Sequence, residues 1–266
     1  MDNLVLNQEI FYTDDEQKLV DKAKVPCHIA IIPDGNRRWA KNNLLPAEKG
    51  HLAGADSVVR IVRAAKELGI KVLSLYAFST ENWKRPTKEI DYLMKIIQEY
   101  LLSYQEKLIE YNIRLSVIGR LDTLPESLKA AIEQTIERTC KCSGFDLVLA
   151  INYGGRDEIV RAICRMISNK MTPEDISEET ISAHLDTRLW PDPDLVIRTS
   201  GEKRLSNFLL WQSSYSEVYV DNVAWPDFTP KHLLQAVCDY QTRERRLGGR
   251  TTTDTAPPLQ AASAIY

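Results

Sequence analysis

Between His28 and Lys41, an isoleucine-rich apolar run breaks into Pro33, Asp34, Gly35, Asn36, Arg37 and Arg38. The run predicts a buried strand. The polar cluster then stands at that strand's carboxyl end, where open α/β sheets bind ligands. The residue types suit a phosphorylated ligand. Asp34 is a hard oxygen donor of the kind Mg²⁺ takes. Gly35 lets backbone N–H groups approach an anion closely. Arg37 and Arg38 can fork onto phosphate oxygens. The plainer alternative is a polar βα loop with a surface arginine pair.

Composition sets the frame for these residues. The chain has 266 residues, 44% hydrophobic and 27% charged, which is ordinary for a water-soluble domain. A net charge of −3 gives no general basic surface, so no nucleic-acid partner is expected and any anion site must be local. No apolar run approaches the ~18 residues of a membrane helix, and no signal pattern opens the chain. A cytoplasmic location is expected. The five cysteines are an odd number without paired C-x-x-C spacing, and Cys140 and Cys142 read as reduced thiols near a helix end. The four histidines show no zinc spacing.

Strand and helix patterns alternate. Strands are expected at Cys27–Ile32, 71–77, 113–118, 145–152, 194–198 and 217–220. Helices are expected at His51–Leu68, 88–111, 125–140, 157–168, after Ser177, and at 231–243. Gly69 suits the stop of the first, and Thr87 suits a cap for the second. Lys41–Gly50 reads as a loop, and Phe208–Trp211 is ambiguous between strand and helix. This alternation predicts one α/β domain over 25–249, a mainly parallel six-stranded sheet flanked by helices. Residues 1–24 read as an N-terminal extension in which Phe11 and Tyr12 find packing. Residues 250–266 read as a disordered tail. Neither G-x-G-x-x-G nor G-x-x-x-x-G-K-[ST] occurs, so an anion site must be built from arginine side chains and one aspartate.

The run Asp34-Gly35-Asn36-Arg37-Arg38-Trp39-Ala40-Lys41 resembles the signature of the cis-prenyltransferases, the undecaprenyl diphosphate synthase family. Two further segments resemble the same family in the same order. They are Tyr76–Arg85, and Asp194–Gln212 with Glu217 and Trp225-Pro226-Asp227-Phe228 after it. Three long motifs at matching spacing make the resemblance specific over Val25–Gly249.

The resemblance implies an apolar tunnel in the fold and a Mg²⁺-dependent transferase. Such an enzyme joins isopentenyl diphosphate to an allylic diphosphate, farnesyl diphosphate being expected. The product is a long Z-polyprenyl diphosphate, expected to be undecaprenyl diphosphate, the lipid carrier for cell-wall glycan synthesis. It also implies a homodimer, and peripheral membrane contact through the product. Asp34 and Asn82 are implied as catalytic residues, and Asp34 and Glu217 as metal ligands. Gly35, Asn36, Arg37, Arg38, His51 and Arg85 are implied at the allylic diphosphate, with Ser79, Thr80 and Glu81 beside Asn82. An amide is no strong base, so Asn82 is expected to act through a network with Ser79; released pyrophosphate is an equal candidate for the proton.

Arg198, Arg204, Leu205 and Ser206 match the family's isopentenyl diphosphate site, and Trp39 and Trp83 are expected to wall the prenyl slot. Ala77 stands where that slot begins. Arg246, in Arg243–Gly249, matches a C-terminal motif that reaches the partner's site in family dimers. The sequence departs from the pattern at Ala47, where the family carries an arginine; either Lys49 substitutes or the allylic diphosphate is held more weakly.

Two other readings compete. A noncatalytic scaffold subunit would keep the fold, but intact Asp34, Asn82, Arg198, Arg204 and Arg246 argue against it. A phosphate-binding hydrolase would need a Ser–His or Cys–His signature, and none is seen. The trans-prenyltransferases use paired aspartate-rich motifs; Asp14-Asp15-Glu16-Gln17-Lys18 lacks the closing aspartate and has no second copy.

Overall fold

A computed structural model describes residues 10–244. Its centre is a run of strands too apolar to face water on either side. β1 (His28–Ile32) and β5 (Leu195–Arg198) are buried at every position. β2 (Val72–Ser79) and β4 (Phe145–Tyr153) are buried almost throughout. With β3 (Ile113–Ile118) and β6 (Glu217–Val220) they form one six-stranded sheet in the order β3-β4-β2-β1-β5-β6. Every pairing is parallel, which matches strands that read as continuous apolar runs. The fold is a single α/β domain.

Eight helices among the described residues connect and cover the sheet: α1 (Asp14–Lys18), α2 (Asn36–Asn42), α3 (Ala47–Glu67), α4 (Thr87–Glu110), α5 (Glu126–Thr139), α6 (Gly155–Ser168), α7 (Glu178–His184) and α8 (Pro230–Thr242). One core joins a sheet face to Ile61 and Val62 of α3, Ile90 and Met94 of α4, Leu128 and Ile132 of α5, and Leu233 and Val237 of α8. The opposite face packs Phe208 and Leu209 against Ala30, Tyr76, Ala150 and Val196. Tyr12 is buried in the first core and donates to the Pro230 carbonyl at 3.1 Å, so the segment before β1 packs onto the domain.

Three expectations change. Lys41–Gly50 is not a loop: α2 begins at Asn36, and α3 begins at Ala47 with Pro46 before it. The cause is tertiary. Gly50 lets α3 press onto α2, since a Cβ there would stand 2.1 Å from the Asn36 carbonyl oxygen. That contact overrides the weak helix propensity of the stretch. Pro86, not Thr87, caps α4, because a fixed extended residue ahead of the first turn needs no side-chain bond. Phe208–Trp211 is neither strand nor helix but a chain of turns, with Ser206, Asn207 and Leu209 at positive φ.

The order of strands fixes where a ligand can sit. From β1 the chain moves to β2 on one side and later returns to β5 on the other. The carboxyl ends of β1 and β5 therefore flank the reversal point of the sheet, where a crevice opens. Ile32 is in register with Arg198 across it.

His28 opens β1 fully buried. Its Nδ1–H donates to the Pro191 carbonyl at 2.7 Å, and the Ser74 hydroxyl donates to its Nε2 at 2.8 Å. Burial pushes its pKa below the ordinary 6.5, against smaller opposing effects of the Pro191 carbonyl and Asp194. The folded protein therefore holds His28 neutral where the unfolded chain takes up a proton. Stability from this group is present above 6.5 and is lost as pH falls toward the folded value. Urea unfolding at about pH 7.5 and about pH 5.5 should show a loss of stability on acidification that shrinks in His28→Gln. An equal loss in both proteins would refute the assignment.

Candidate active site

Asp34 and Arg198 meet at the reversal point. Arg198 Nη2 donates to Asp34 Oδ2 at 2.8 Å, although the two residues lie 164 positions apart. Arg198 is 5% exposed. Its Nη1 donates to Ser206 Oγ at 2.7 Å and to the Arg204 carbonyl. Its Nε is buried with no hydrogen-bond partner in the structure.

Asp34 is held on every side. Its Oδ1 accepts from the Gly35 N–H at 2.7 Å, and Arg38 stands 3.5 Å from Oδ2. Thr199 clamps the backbone, its hydroxyl accepting from the Asp34 N–H at 2.8 Å and donating to the Asp34 carbonyl at 2.7 Å. The Trp225 N–H reaches the same carbonyl at 2.9 Å. Burial by itself would raise the Asp34 pKa, but the hydrogen bond and charge of Arg198, with Gly35 and Arg38, outweigh it and hold the carboxyl below its ordinary value. Asp34 is therefore a carboxylate at neutral pH. Gly35 has φ +103°, and a Cβ there would stand 2.6 Å from Ser200 Oγ, so the turn into α2 admits only glycine.

A cleft of about 1060 Å³ opens here. Arg37, Arg38, Lys41, Arg85, Arg198 and Arg204 line it, against only two carboxylates, Asp34 and Glu81. Gly35, Asn36, His51, Ser79, Asn82 and Ser206 complete the polar wall. Glu89 organises one side. It accepts from His51 Nε2 and Arg85 at 3.2 Å each and stands 4.0 Å from Arg37. Burial lowers the His51 pKa, with Glu89 opposing and Arg85 and Arg37 assisting, so the imidazole is a neutral donor at pH 7. Asn82 Oδ1 accepts from the Ser79 N–H at 3.1 Å. Arg204 pairs with Glu202, which also stands 3.4 Å from Arg38.

The structure separates other expected residues from the cleft. Trp39 does not line it; its indole donates to Asp227 at 2.8 Å. Trp83 donates to Asn152 at 2.8 Å and packs edge-on against Phe78. Thr80 and Leu205 lie outside the lining, Leu205 against the second core. Glu217 does not join Asp34. Because β6 is parallel to β5, Glu217 pairs with Leu195, three residues before Arg198, about 10 Å toward the amino edge. Its carboxylate instead takes Arg243 at 2.8 Å. Lys41, not Lys49, lines the cleft where the expected arginine is missing. Arg246 lies outside the described residues. Among those residues no group of three or more His, Cys, Asp or Glu could hold a metal, and all five cysteines are free. Thr199, Glu89 and Lys41 escaped the sequence reading. Glu89 was detectable as a carboxylate four residues after Arg85 at a helix start.

A second cavity, of about 150 Å³ and almost wholly apolar, lies between α3 and α4 over β2, β3 and β4. Val58, Val62, Ile97, Leu101, Leu115 and Leu149 are among its walls. Ala77 lines both this cavity and the polar cleft.

Comparison with known proteins agrees. A model described as putative undecaprenyl diphosphate synthase matches residues 32–248. The chain belongs to this family. It is 51% identical over 234 residues to an isoprenyl transferase of Bacillus thuringiensis, covering 86% of this chain and 91% of the relative. An isoprenyl transferase of Listeria monocytogenes is 46% identical over 249 residues, covering 91% and 99%. Lavandulyl diphosphate synthase from Lavandula x intermedia, solved with dimethylallyl diphosphate, superposes with a TM-score of 0.81 at 38% identity, covering 84% of this chain and 98% of that one. A probable undecaprenyl diphosphate synthase from Campylobacter jejuni gives 0.72 at 36%, with the same coverage. The protein is a cis-prenyltransferase, an enzyme of prenyl chain elongation. No helix among the described residues is long and apolar enough to cross a membrane.

The Thr199 clamp has a direct test. Thr199→Val keeps the shape but removes both hydroxyl bonds, leaving the Asp34 N–H on the Ile32 carbonyl and the Asp34 carbonyl on the Trp225 N–H, at a cost of about 0.5–1.5 kcal/mol for each bond lost. A thermal melt should shift down by several degrees; an unchanged Tm would show the clamp to be dispensable.

Proposed function

We propose that the protein condenses isopentenyl diphosphate with an allylic diphosphate, farnesyl diphosphate as primer, to give a Z-polyprenyl diphosphate of undecaprenyl length for cell-wall glycan assembly. The observation that carries this reading is the junction at Ala77 of a cationic cleft with an apolar cavity. A substrate with a diphosphate head and a growing hydrocarbon tail needs both, end to end.

The allylic C–O bond breaks, and pyrophosphate leaves with the electron pair. The double bond of isopentenyl diphosphate attacks the allylic C1, and a proton then leaves the new unit to form the Z double bond. The heaviest demand is stabilising negative charge on the leaving group. Arg37, Arg38 and Arg85 meet it as donors to the allylic diphosphate, while neutral His51 spends its one N–H on Glu89 and so holds that carboxylate beside Arg85 and Arg37. Arg198, Arg204 and Ser206 hold the second diphosphate. Fixing both diphosphates in one cleft puts the reacting carbons in register. Asn82, tied to Ser79, orients the group that accepts the proton.

Asp34 fits Mg²⁺ by its ionised state and its place among phosphate donors; Mg²⁺ usually takes one or two carboxylates, with water and substrate oxygens completing its shell. When bound, the ion neutralises diphosphate charge as a Lewis acid. The apolar cavity serves as the start of the tunnel, where burial favours the tail by roughly 0.8 kcal/mol per CH₂. A homodimer, and peripheral contact with a membrane through the product, belong to the same reading.

Radiolabelled isopentenyl diphosphate with farnesyl diphosphate tests the reaction and the chain length together. Asp34→Ala, with folding checked by circular dichroism, should lower kcat by about 100-fold or more, since a metal contact supplies several kcal/mol. A kcat within about twofold of wild type would remove Asp34 from the chemistry. Ala77→Leu adds bulk where the two cavities meet and should shorten the main product. An unchanged product distribution from a folded, active variant would separate Ala77 from the slot.

A further inference from the structure

The apolar cavity keeps an almost wholly apolar surface to its far end, but three of the side chains that close it there carry polar heads. It runs along the strand direction from Ala77, near the carboxyl edge of the sheet, to Ile113 at the start of β3. At that far end its lining changes to Arg63, Lys107 and Tyr111. The Arg63 guanidinium lies 5.1 Å from the centre of the Tyr111 ring and 5.0 Å from that of Phe11. It is thus held between an aromatic ring of the cavity wall and one from the segment before β1.

Both rings are fixed in turn. The Phe11 and Tyr12 N–H groups donate to Glu67, one turn after Arg63 on α3, at 3.1 and 3.2 Å. Tyr12 is sunk in the core. Lys66 donates to the Tyr111 carbonyl. The stack is therefore a built wall, anchored to α3, to the end of α4 and to the N-terminal segment.

We infer that Arg63, stacked between Tyr111 and Phe11, is the stop that limits how far the prenyl chain grows. The inference rests on the reading of the apolar cavity as the prenyl slot. Each condensation pushes the hydrocarbon end about five carbons deeper, and burial of those carbons rewards the advance. At Arg63 the reward stops. To pass, the chain must displace a guanidinium from two ring faces that attract it electrostatically. It would also leave that charge against hydrocarbon, which solvates it poorly. The N-terminal segment, which touches none of the reacting groups, thereby takes part in product specificity through Phe11.

The test measures product length by mass spectrometry, from farnesyl diphosphate and isopentenyl diphosphate, for the full chain and for Arg63→Ala, Arg63→Lys and Phe11→Ala. Arg63→Ala should lengthen the longest product by about one isoprene unit, since neighbours only partly refill the space left by a large side chain. Arg63→Lys loses the flat stacking surface while keeping the charge, and should lengthen it less. Phe11→Ala should shift length in the same direction as Arg63→Ala. The double variant should fall short of the sum, because both changes open one wall.

Wild-type lengths in folded Arg63→Ala and Phe11→Ala would overturn the inference, as would shorter products. If Arg63→Ala does not fold, Phe11→Ala decides alone by the same criterion. If Ala77→Leu shortens the product while Arg63→Ala leaves it unchanged, only the stop is wrong. If wild type makes no polyprenyl product, or Ala77→Leu changes nothing, the slot itself is wrong and the stop falls with it.

Discussion

The Asp34–Arg198 pair holds the site together. A partly buried ion pair costs desolvation, and it persists only where further hydrogen bonds complete it. Here they do. Asp34 takes the Gly35 N–H, and Arg198 gives to Ser206 and to the Arg204 carbonyl. Through these bonds one pair fixes two loops, the turn leaving β1 and the loop leaving β5. The first turn leads into α2, which carries Arg37, Arg38 and Lys41 of the cleft, and the second loop carries Arg204. With a net charge of −3 the chain has no cationic excess to spare, so a positive site exists only because the fold collects arginines at one edge of the sheet.

Ala77 is the second point on which the arrangement turns. Along β2, Leu73 and Leu75 face the first core, while Val72 and Tyr76 face the second. Strict alternation would send Phe78 to the side of Tyr76. Instead the register with β4 shifts between Tyr76 and Phe78, and both Ala77 and Phe78 pack on the first core. An extra residue of this kind re-aims side chains at a strand end. Here it turns Phe78 onto the first core, while Ala77, on that side by ordinary alternation, stands where the polar cleft meets the apolar cavity and Tyr76 stacks on Phe208 at 4.5 Å. The same loop that carries Ser206 is thereby packed against β2. Asn207 adds a second tie, donating to Glu81 at 2.9 Å and accepting from the Arg156 N–H.

The strands were legible because each is a short apolar run bounded by turn residues, and that signal is local. Five of the expected long helices appear with ends moved by a few residues. The region from Asn36 to Gly50 was misread for a physical reason. Asn42, Asn43, Pro46 and Gly50 all weaken helix propensity, and what makes two helices there is the contact of α2 with α3, which no window of sequence contains. The turns after Ser206 were illegible for a similar cause. Their positive φ values are unfavourable for residues other than glycine and are held by bonds to α6 and to the segment after β2.

By itself the sequence determined the alternation of strands and helices, the parallel sheet that alternation requires, and the chemical types gathered at the ends of β1, β2 and β5. Its three motifs were enough to indicate the family. Only the tertiary structure decided which of those residues meet. It joined Asp34 to Arg198 across 164 positions, brought Glu89 to His51, and set Ala77 between two cavities. It also turned Trp39 and Trp83 to other partners and left Glu217 at the amino edge of the sheet. The reason is that residue type and spacing act within a few turns of chain. Strand order, register and one irregular residue in β2 decide which ends share an edge.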